Sequence, residues 1–289
     1  QKLKKKTVEA IFSESEQSTQ DYLTNFGFSD AIITDFFKPF FSGIFLETEL
    51  ETTSRMFEFV YKMFGQGRAT IPKEGMEAIP KQLLKNLRTT SFRFNTKVTA
   101  LKDGKMTLDD GTQLESDYTI VATEASALIS NLKNQSTDWK SCTTLYFETD
   151  TAVIEKKLIG LISKSRTFIN NIFYNSSLES ASKPKKELLS VTVIDDQGLS
   201  NESLIESVTT ELKQLCGITT AKFIKLYNIP KALPRLRDLK YEMMPSETRL
   251  TDRLFLAGDT QLNASLNAAM ISGERAALGV IESLKSLGF

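Results

Sequence analysis

RLFLAGDTQLNASLNAAMISGERAA, residues 253–277, is the stretch on which the reading of the fold turns. The apolar run 253–257 is short and ends at a glycine, which predicts a buried strand. Gly258-Asp259 follows directly, then a loop of small and polar residues, then a predicted helix over 265–286. A strand that runs straight into glycine and then into a helix brings backbone close to a flat ligand. Gly258 permits tight approach, and Asp259 offers an acceptor to ligand hydroxyls. The helix start at Ser265 and Leu266 supplies unsatisfied N–H groups and a partial positive charge, suited to an electron-rich carbonyl edge. Ala268, Ala269, Gly273, Ala276 and Ala277 leave one side of that helix nearly bare, which allows close packing.

Upstream, Pro230, Pro234 and Pro245 predict a loop, in which Lys231, Arg235 and Arg237 read as solvated cations rather than a substrate entrance. Strands are predicted at 142–149, 169–174, 188–195 and 222–228. An amphipathic helix is predicted at 201–215, with Leu204, Ile205, Val208, Leu212 and Leu215 on its apolar side. Before these the period is two: 92–101, 105–108, 112–115 and 118–122 predict a β-meander. Its turns fall at Asp103-Gly104 and Asp109-Asp110-Gly111, and it ends in a buried strand, YTIVA. Helices are predicted at 48–64 and at 74–87, the latter with Met76, Ile79, Leu83, Leu84 and Leu87 on one face. The aromatic stretch 26–45 has helical spacing, with breaks expected at Pro39 and Gly43; core packing is its plain reading and an apolar tunnel the alternative.

The class is therefore α+β with α/β elements. The expected layout is a helical part at 1–88, strands and meander at 89–135, a mixed sheet with helices at 136–250, and a last strand and helix at 251–289.

A chain of 289 residues with 40% hydrophobic content can bury one large or two ordinary domains. Its 36 basic and 36 acidic residues cancel, so overall charge points to neither nucleic acid nor an anionic membrane as partner. There is no histidine, which excludes Ser-His-Asp and Cys-His sites, His-bound zinc and histidine proton shuttles. Cys142 and Cys216 are far apart and read as core thiols, not as a metal or redox pair. Asp109-Asp110 and Asp195-Asp196 read as turn formers rather than acid/base pairs. No run of about 18 apolar residues and no signal segment occurs, so a cytoplasmic protein is expected, with peripheral membrane contact left open. Sequons at Asn134, Asn175 and Asn201 read as chance.

LFLAGDTQLNASLNAAMISGERAA, from Leu254 on, closely resembles the terminal FAD motif of the amine oxidase, protoporphyrinogen oxidase and phytoene desaturase superfamily. IPKEGMEAIPKQL, from Ile71, resembles that family's Pro-x-Gly-Gly-Met segment, with Glu74 in place of the first Gly. NTKVTAL, the DDG turn and DYTIVAT resemble the strands beneath the adenine half of FAD, and IPKALPRL resembles the stretch before the final motif. These matches keep the family's order across residues 65–280.

The resemblance implies the remainder of an FAD-binding Rossmann-like domain, carrying a mixed-sheet and helical substrate domain. It implies that Val98 approaches adenine through its backbone and that Ala122 and Thr123 lie near the diphosphate. Gly258 and Asp259 would meet the ribityl and phosphate region. At Ser265, Leu266 and Asn267 the helix start would face the flavin pyrimidine, with Leu266 and Asn267 as backbone donors. Ala264 stands where the family has Gly, which is tolerable unless the position needs a positive φ.

The strand-GxGxxG-helix fingerprint is absent; Gly65-Gln66-Gly67 is followed by Thr70 and Pro72 and does not read as a phosphate loop. The expectation is a C-terminal portion preceded by about 100 or more residues, inactive and FAD-free alone. The implied reaction is hydride transfer from an apolar or amine substrate to non-covalent FAD. No catalytic side chain is nominated, because the flavin carries the chemistry. The alternatives are a non-catalytic scaffold that keeps the fold and, more remotely, an apolar-ligand carrier.

Overall fold

The computed structural model describes residues 2–102, 104–129, 137–164, 166–179, 185–236 and 238–286. Expectations that fall on Asp103, Asn134 and Arg237 lie outside these residues. The elements run α1 (Lys2–Lys5), α2 (Val8–Phe12), α3 (Thr19–Phe26), α4 (Asp30–Ile32), α5 (Lys38–Phe45), α6 (Ser54–Gln66), α7 (Ala78–Lys85), β1 (Val98–Lys102), β2 (Lys105–Leu108), β3 (Gln113–Glu115), β4 (Thr119–Val121) and β5 (Trp139–Thr149). They continue with β6 (Gly160–Leu161), β7 (Ile169–Tyr174), β8 (Glu187–Val193), α8 (Asn201–Cys216), β9 (Lys222–Pro234), β10 (Leu254–Leu256) and α9 (Leu266–Ser286). The chain divides into two compact units, one made of residues 1–6, 14–87 and 139–233, the other of 7–13, 88–138 and 234–289.

The first unit holds a five-stranded sheet, β6-β7-β8-β5-β9. Alternation along β5 and β8 buries Leu145, Phe147, Leu189, Val191 and Val193 together with Leu204, Val208 and Leu212 of α8. Each such side chain contributes about 1.5–3 kcal/mol by leaving water. Ser200 caps α8, its hydroxyl accepting from Ser203 N at 3.2 Å, and Gly217 closes it at φ 68°. Carboxylates of Asp195 and Asp196 accept backbone N–H bonds at 2.9 and 3.0 Å, in the turn-forming role expected of them.

A second cluster gathers Leu23, Ile33, Phe37, Phe41, Phe45, Leu50 and Phe57. Here Pro39 does not break the helical run. Residues Ile33–Phe37 form a π-helical segment directly before it, and α5 starts with the proline in its first turn, where the missing N–H is harmless. Gly43 stays helical too; a Cβ on it would meet Asn170 Oδ1 at 2.6 Å. The helix expected at 48–64 begins only at Ser54, capped by Thr53. Residues before it are committed elsewhere: Thr52 N donates to Glu47 Oε1 at 2.7 Å, and buried Lys140 Nζ donates to Glu47 Oε2 at 2.5 Å and Phe45 O at 2.9 Å. The helix expected at 74–87 shortens to α7, and Met76, Leu83, Leu84 and Leu87 are exposed.

β9 runs on through Pro230 to Pro234, where a loop was expected, so Lys231 is a strand residue. An edge strand tolerates proline because one row of its backbone groups faces no neighbour.

In the second unit β1, β2 and β3 form the antiparallel meander, shorter than expected because Phe92 and Phe94 stay outside it, exposed. Gly111 turns at φ 83°, with Thr112 N donating to Asp110 Oδ1 at 2.8 Å. β4 and β10 pair in parallel, and Leu101, Val121, Ile129 and Leu254 join them to the meander. The strand YTIVA is not fully buried: Ile120 is 40% exposed. Among the described residues β10 is its one strand neighbour.

α9 packs on β10 through Phe255, Ala257 and Ala276. Its buried stripe is Ala268, Ser272, Ala276 and Gly279, not the five small residues expected; Gly273 faces open space and Ala277 is exposed. Gly279 is the close-approach position, since a Cβ there would lie 2.9 Å from both the Phe255 ring and Pro245 O.

Candidate functional site

β4 and β10 lie in parallel register, Leu254 opposite Thr119 and Leu256 opposite Val121, and Ala257 N donates to Val121 O at 2.9 Å. Two neighbouring strands therefore end at the same edge. Ala122 and Thr123 leave the sheet beside Gly258 and Asp259, at the carboxyl edge where open parallel sheets bind ligands.

Gly258 adopts φ 134° and ψ 165°, a region that only glycine enters without strain. A Cβ there would meet nothing nearer than Thr260 Oγ1 at 3.8 Å, so the requirement is one of backbone conformation, not space. Beyond it a single 3-10 turn, Asp259–Gln261, curls back, and Asp259 O accepts from Ala264 N at 3.0 Å.

The loop that follows is anchored inside the same unit. Buried Asn263 donates from Nδ2 to Lys240 O at 3.0 Å, and Lys240 N donates to Leu262 O at 3.2 Å. Ser265 Oγ donates to Asn263 Oδ1 at 2.7 Å and accepts from Ala268 N at 3.1 Å. Ser265 is thus the cap of α9 rather than part of the face it presents. The first free donors are the N–H groups of Leu266 and Asn267, which have no partner within the helix and sit on exposed residues.

Ala264 has φ 61°. The position does need a left-handed residue, so alanine in place of the family's glycine carries strain here.

Val98 starts β1 on the meander, half-buried opposite Leu108, beside a bulge that ends at Ala100. The structure thus sets Ala122, Thr123, Gly258 and Asp259 along one sheet edge. It places Leu266 and Asn267 across a pinned loop and Val98 on the neighbouring meander, all within one unit.

One residue absent from the sequence reading belongs to this turn. Buried Ser272 accepts from Gly258 N at 2.8 Å and donates to Gly258 O at 2.9 Å. A serine amid Ala and Ile inside a helix is a weak signal for such a bond, because helical serine more often bonds its own preceding turn. Ser272 does reach Ala269 O as well, at 3.0 Å.

Chemically, the arrangement offers backbone N–H groups, one carboxylate and a glycine that admits close contact. That donor set fits a flat ring with a carbonyl edge joined to a hydroxylated chain. It contains no proton-abstracting base paired with a nucleophile. Cys142 and Cys216 lie in the other unit and are half-buried rather than core; burial pushes both thiols up, with the Glu211 charge adding to the rise at Cys216. Among the described residues no group of His, Cys, Asp or Glu is placed to hold a metal ion, and no helix is long and apolar enough to cross a membrane.

The family described as flavin containing amine oxidoreductase matches residues 1–281. Among curated proteins none matches the chain. The fold is similar to that of an oxidoreductase from Methanosarcina mazei, with TM-score 0.73 and 13% identity over 93% of this chain and 70% of that one. A protein from Pyrococcus furiosus gives TM-score 0.62 and 13% identity over 99% and 72%. Putrescine oxidase bound to putrescine gives 0.63 and 12% over 92% and 68%.

Proposed function

Because the chain belongs to the flavin-containing amine oxidoreductase family, whose cofactor is FAD, we propose that Gly258, Asp259 and the start of α9 hold the flavin end of FAD. The full-length protein would then remove hydride from a C–H bond of its substrate, in an amine the C–H next to nitrogen. The observation that carries this reading is the glycine-only conformation of Gly258 at the shared carboxyl edge of β4 and β10. The unit that contains them is the flavin-binding domain, and the unit built on the five-stranded sheet is the substrate domain.

In this reading Asp259 accepts from the ribityl hydroxyls, and Leu266 and Asn267 N–H groups donate to the pyrimidine edge, where the α9 dipole favours negative charge. Ala122 and Thr123 flank the diphosphate, and Val98 approaches the adenine. When bound, FAD supplies the hydride acceptor, and O2 or another oxidant restores it. The family's description favours an amine as substrate.

The test is anaerobic mixing of the FAD-loaded full-length protein with a panel of primary, secondary and polyamine substrates beside apolar alkenes. Bleaching of the visible flavin band by one class identifies the substrate. Failure of the full-length protein to retain FAD under saturating conditions would sink the proposal in favour of a scaffold role.

A further inference from the structure

We infer that Ser272 is a positioning residue for the cofactor: its buried hydroxyl clamps both backbone groups of Gly258 and so aims the next peptide N–H, that of Asp259, at the ligand. The inference rests on the proposed flavin site and goes beyond it, because Ser272 itself is wholly buried and acts through Gly258.

Gly258 N–H donates to Ser272 Oγ at 2.8 Å, while the single hydrogen of that hydroxyl is shared between Gly258 O at 2.9 Å and Ala269 O at 3.0 Å. The hydroxyl offers one residue both an acceptor and a donor from a single atom. Fixing Gly258 O toward α9 has a geometric consequence. In a trans peptide the carbonyl and the following N–H point in opposite directions, so Asp259 N–H is directed away from α9.

Glycine at φ 134° has a broad conformational range of its own. Without the clamp the Gly258-Asp259 peptide could rotate, and a free Gly258 N–H would compete for the same ligand oxygen. Ser272 lies one helical turn from Ala268 and another from Ala276, both buried. The hydroxyl is therefore held rigidly at the centre of the packed stripe.

The experiment compares FAD binding by the full-length protein as wild type, Ser272→Ala and Ser283→Ala. Ser283 is the control, a serine of the same helix whose hydroxyl bonds back to Gly279 O at 2.9 Å. Three quantities are read: FAD affinity by titration, visible-region circular dichroism of the bound flavin, and the melting temperature with and without FAD. Ser272→Ala is expected to weaken FAD tenfold or more and to alter the dichroism of whatever flavin remains bound, with a smaller change in FAD-free melting. Ser283→Ala is expected to leave affinity and dichroism unchanged.

Wild-type affinity and an unchanged flavin spectrum in Ser272→Ala would overturn the inference and leave the proposed function standing. An equal fall in melting with and without FAD would overturn it too, because the hydroxyl would then serve the fold alone. A full-length wild-type protein that takes up no FAD would remove both the inference and the function it rests on.

Discussion

Replacing Ala264 by glycine should make this protein more stable, against the usual direction of such a change. The residue sits at φ 61° between the pinned Asn263 and the cap Ser265. Holding an L-residue in the left-handed region costs about 1–2 kcal/mol from the clash of Cβ with the neighbouring carbonyl. Glycine removes that strain but loses about 0.5–1 kcal/mol more backbone entropy on folding. The difference is a gain of about 0.5–1 kcal/mol. Nothing else changes, because the Ala264 N–H bond to Asp259 O uses backbone atoms alone. For a chain of this size the gain corresponds to a rise of roughly 1–2 °C in melting temperature, with no change in FAD affinity. Differential scanning calorimetry on both proteins decides the matter. A melting temperature equal to or below wild type would refute the reasoning that strain at this φ outweighs chain entropy.

Gly258→Ala should act in the opposite sense, destabilising by about 1–3 kcal/mol through conformation alone and weakening FAD, as read by urea unfolding with and without the cofactor. Lys140→Met leaves the buried Glu47 carboxylate without its cation and should lower stability by about 3–5 kcal/mol, shown by a fall in the urea midpoint. Glu247 has its pKa held below the ordinary value of 4.5 by the Met244 N–H bond first and the Lys240 ammonium second. Its stabilising contribution is therefore present above the unfolded-state pKa and lost as pH falls through the lower folded-state value. Glu247→Gln should accordingly be less stable than wild type at neutral pH, and the two melting curves should converge in acid.

What the sequence disclosed was local. β10, the glycine turn and α9 could be read because a short apolar run, a Gly-Asp pair and a 3.6-residue pattern are contiguous. The Asp109–Asp110–Gly111 turn was legible for the same reason. The run across Pro39 was not, since the proline falls in the first turn of α5, where its missing N–H is harmless, and no residue announces that a π-helical segment precedes that turn. β9 extends past Pro230 because it is an edge strand, and edge position is a property of the sheet. Ala264 hid its conformation behind a side chain that normally avoids it. Ser272 escaped notice because its partner lies fourteen positions back in sequence and meets it only when α9 folds against β10.

The pairing of β4 with β10 also dictates an order of events during synthesis. Val121 leaves the ribosome long before Leu254, and the residues between them include every strand of the five-stranded sheet. That sheet can close on α8 while β4 still waits for its neighbour. The edge that carries Gly258 comes into being only once β10 has been made, so a chain stalled before β10 would have a formed five-stranded sheet and no turn. Pairing over so long an interval is slow, and until it occurs Ile120 and its strand stand open to misassociation with other chains.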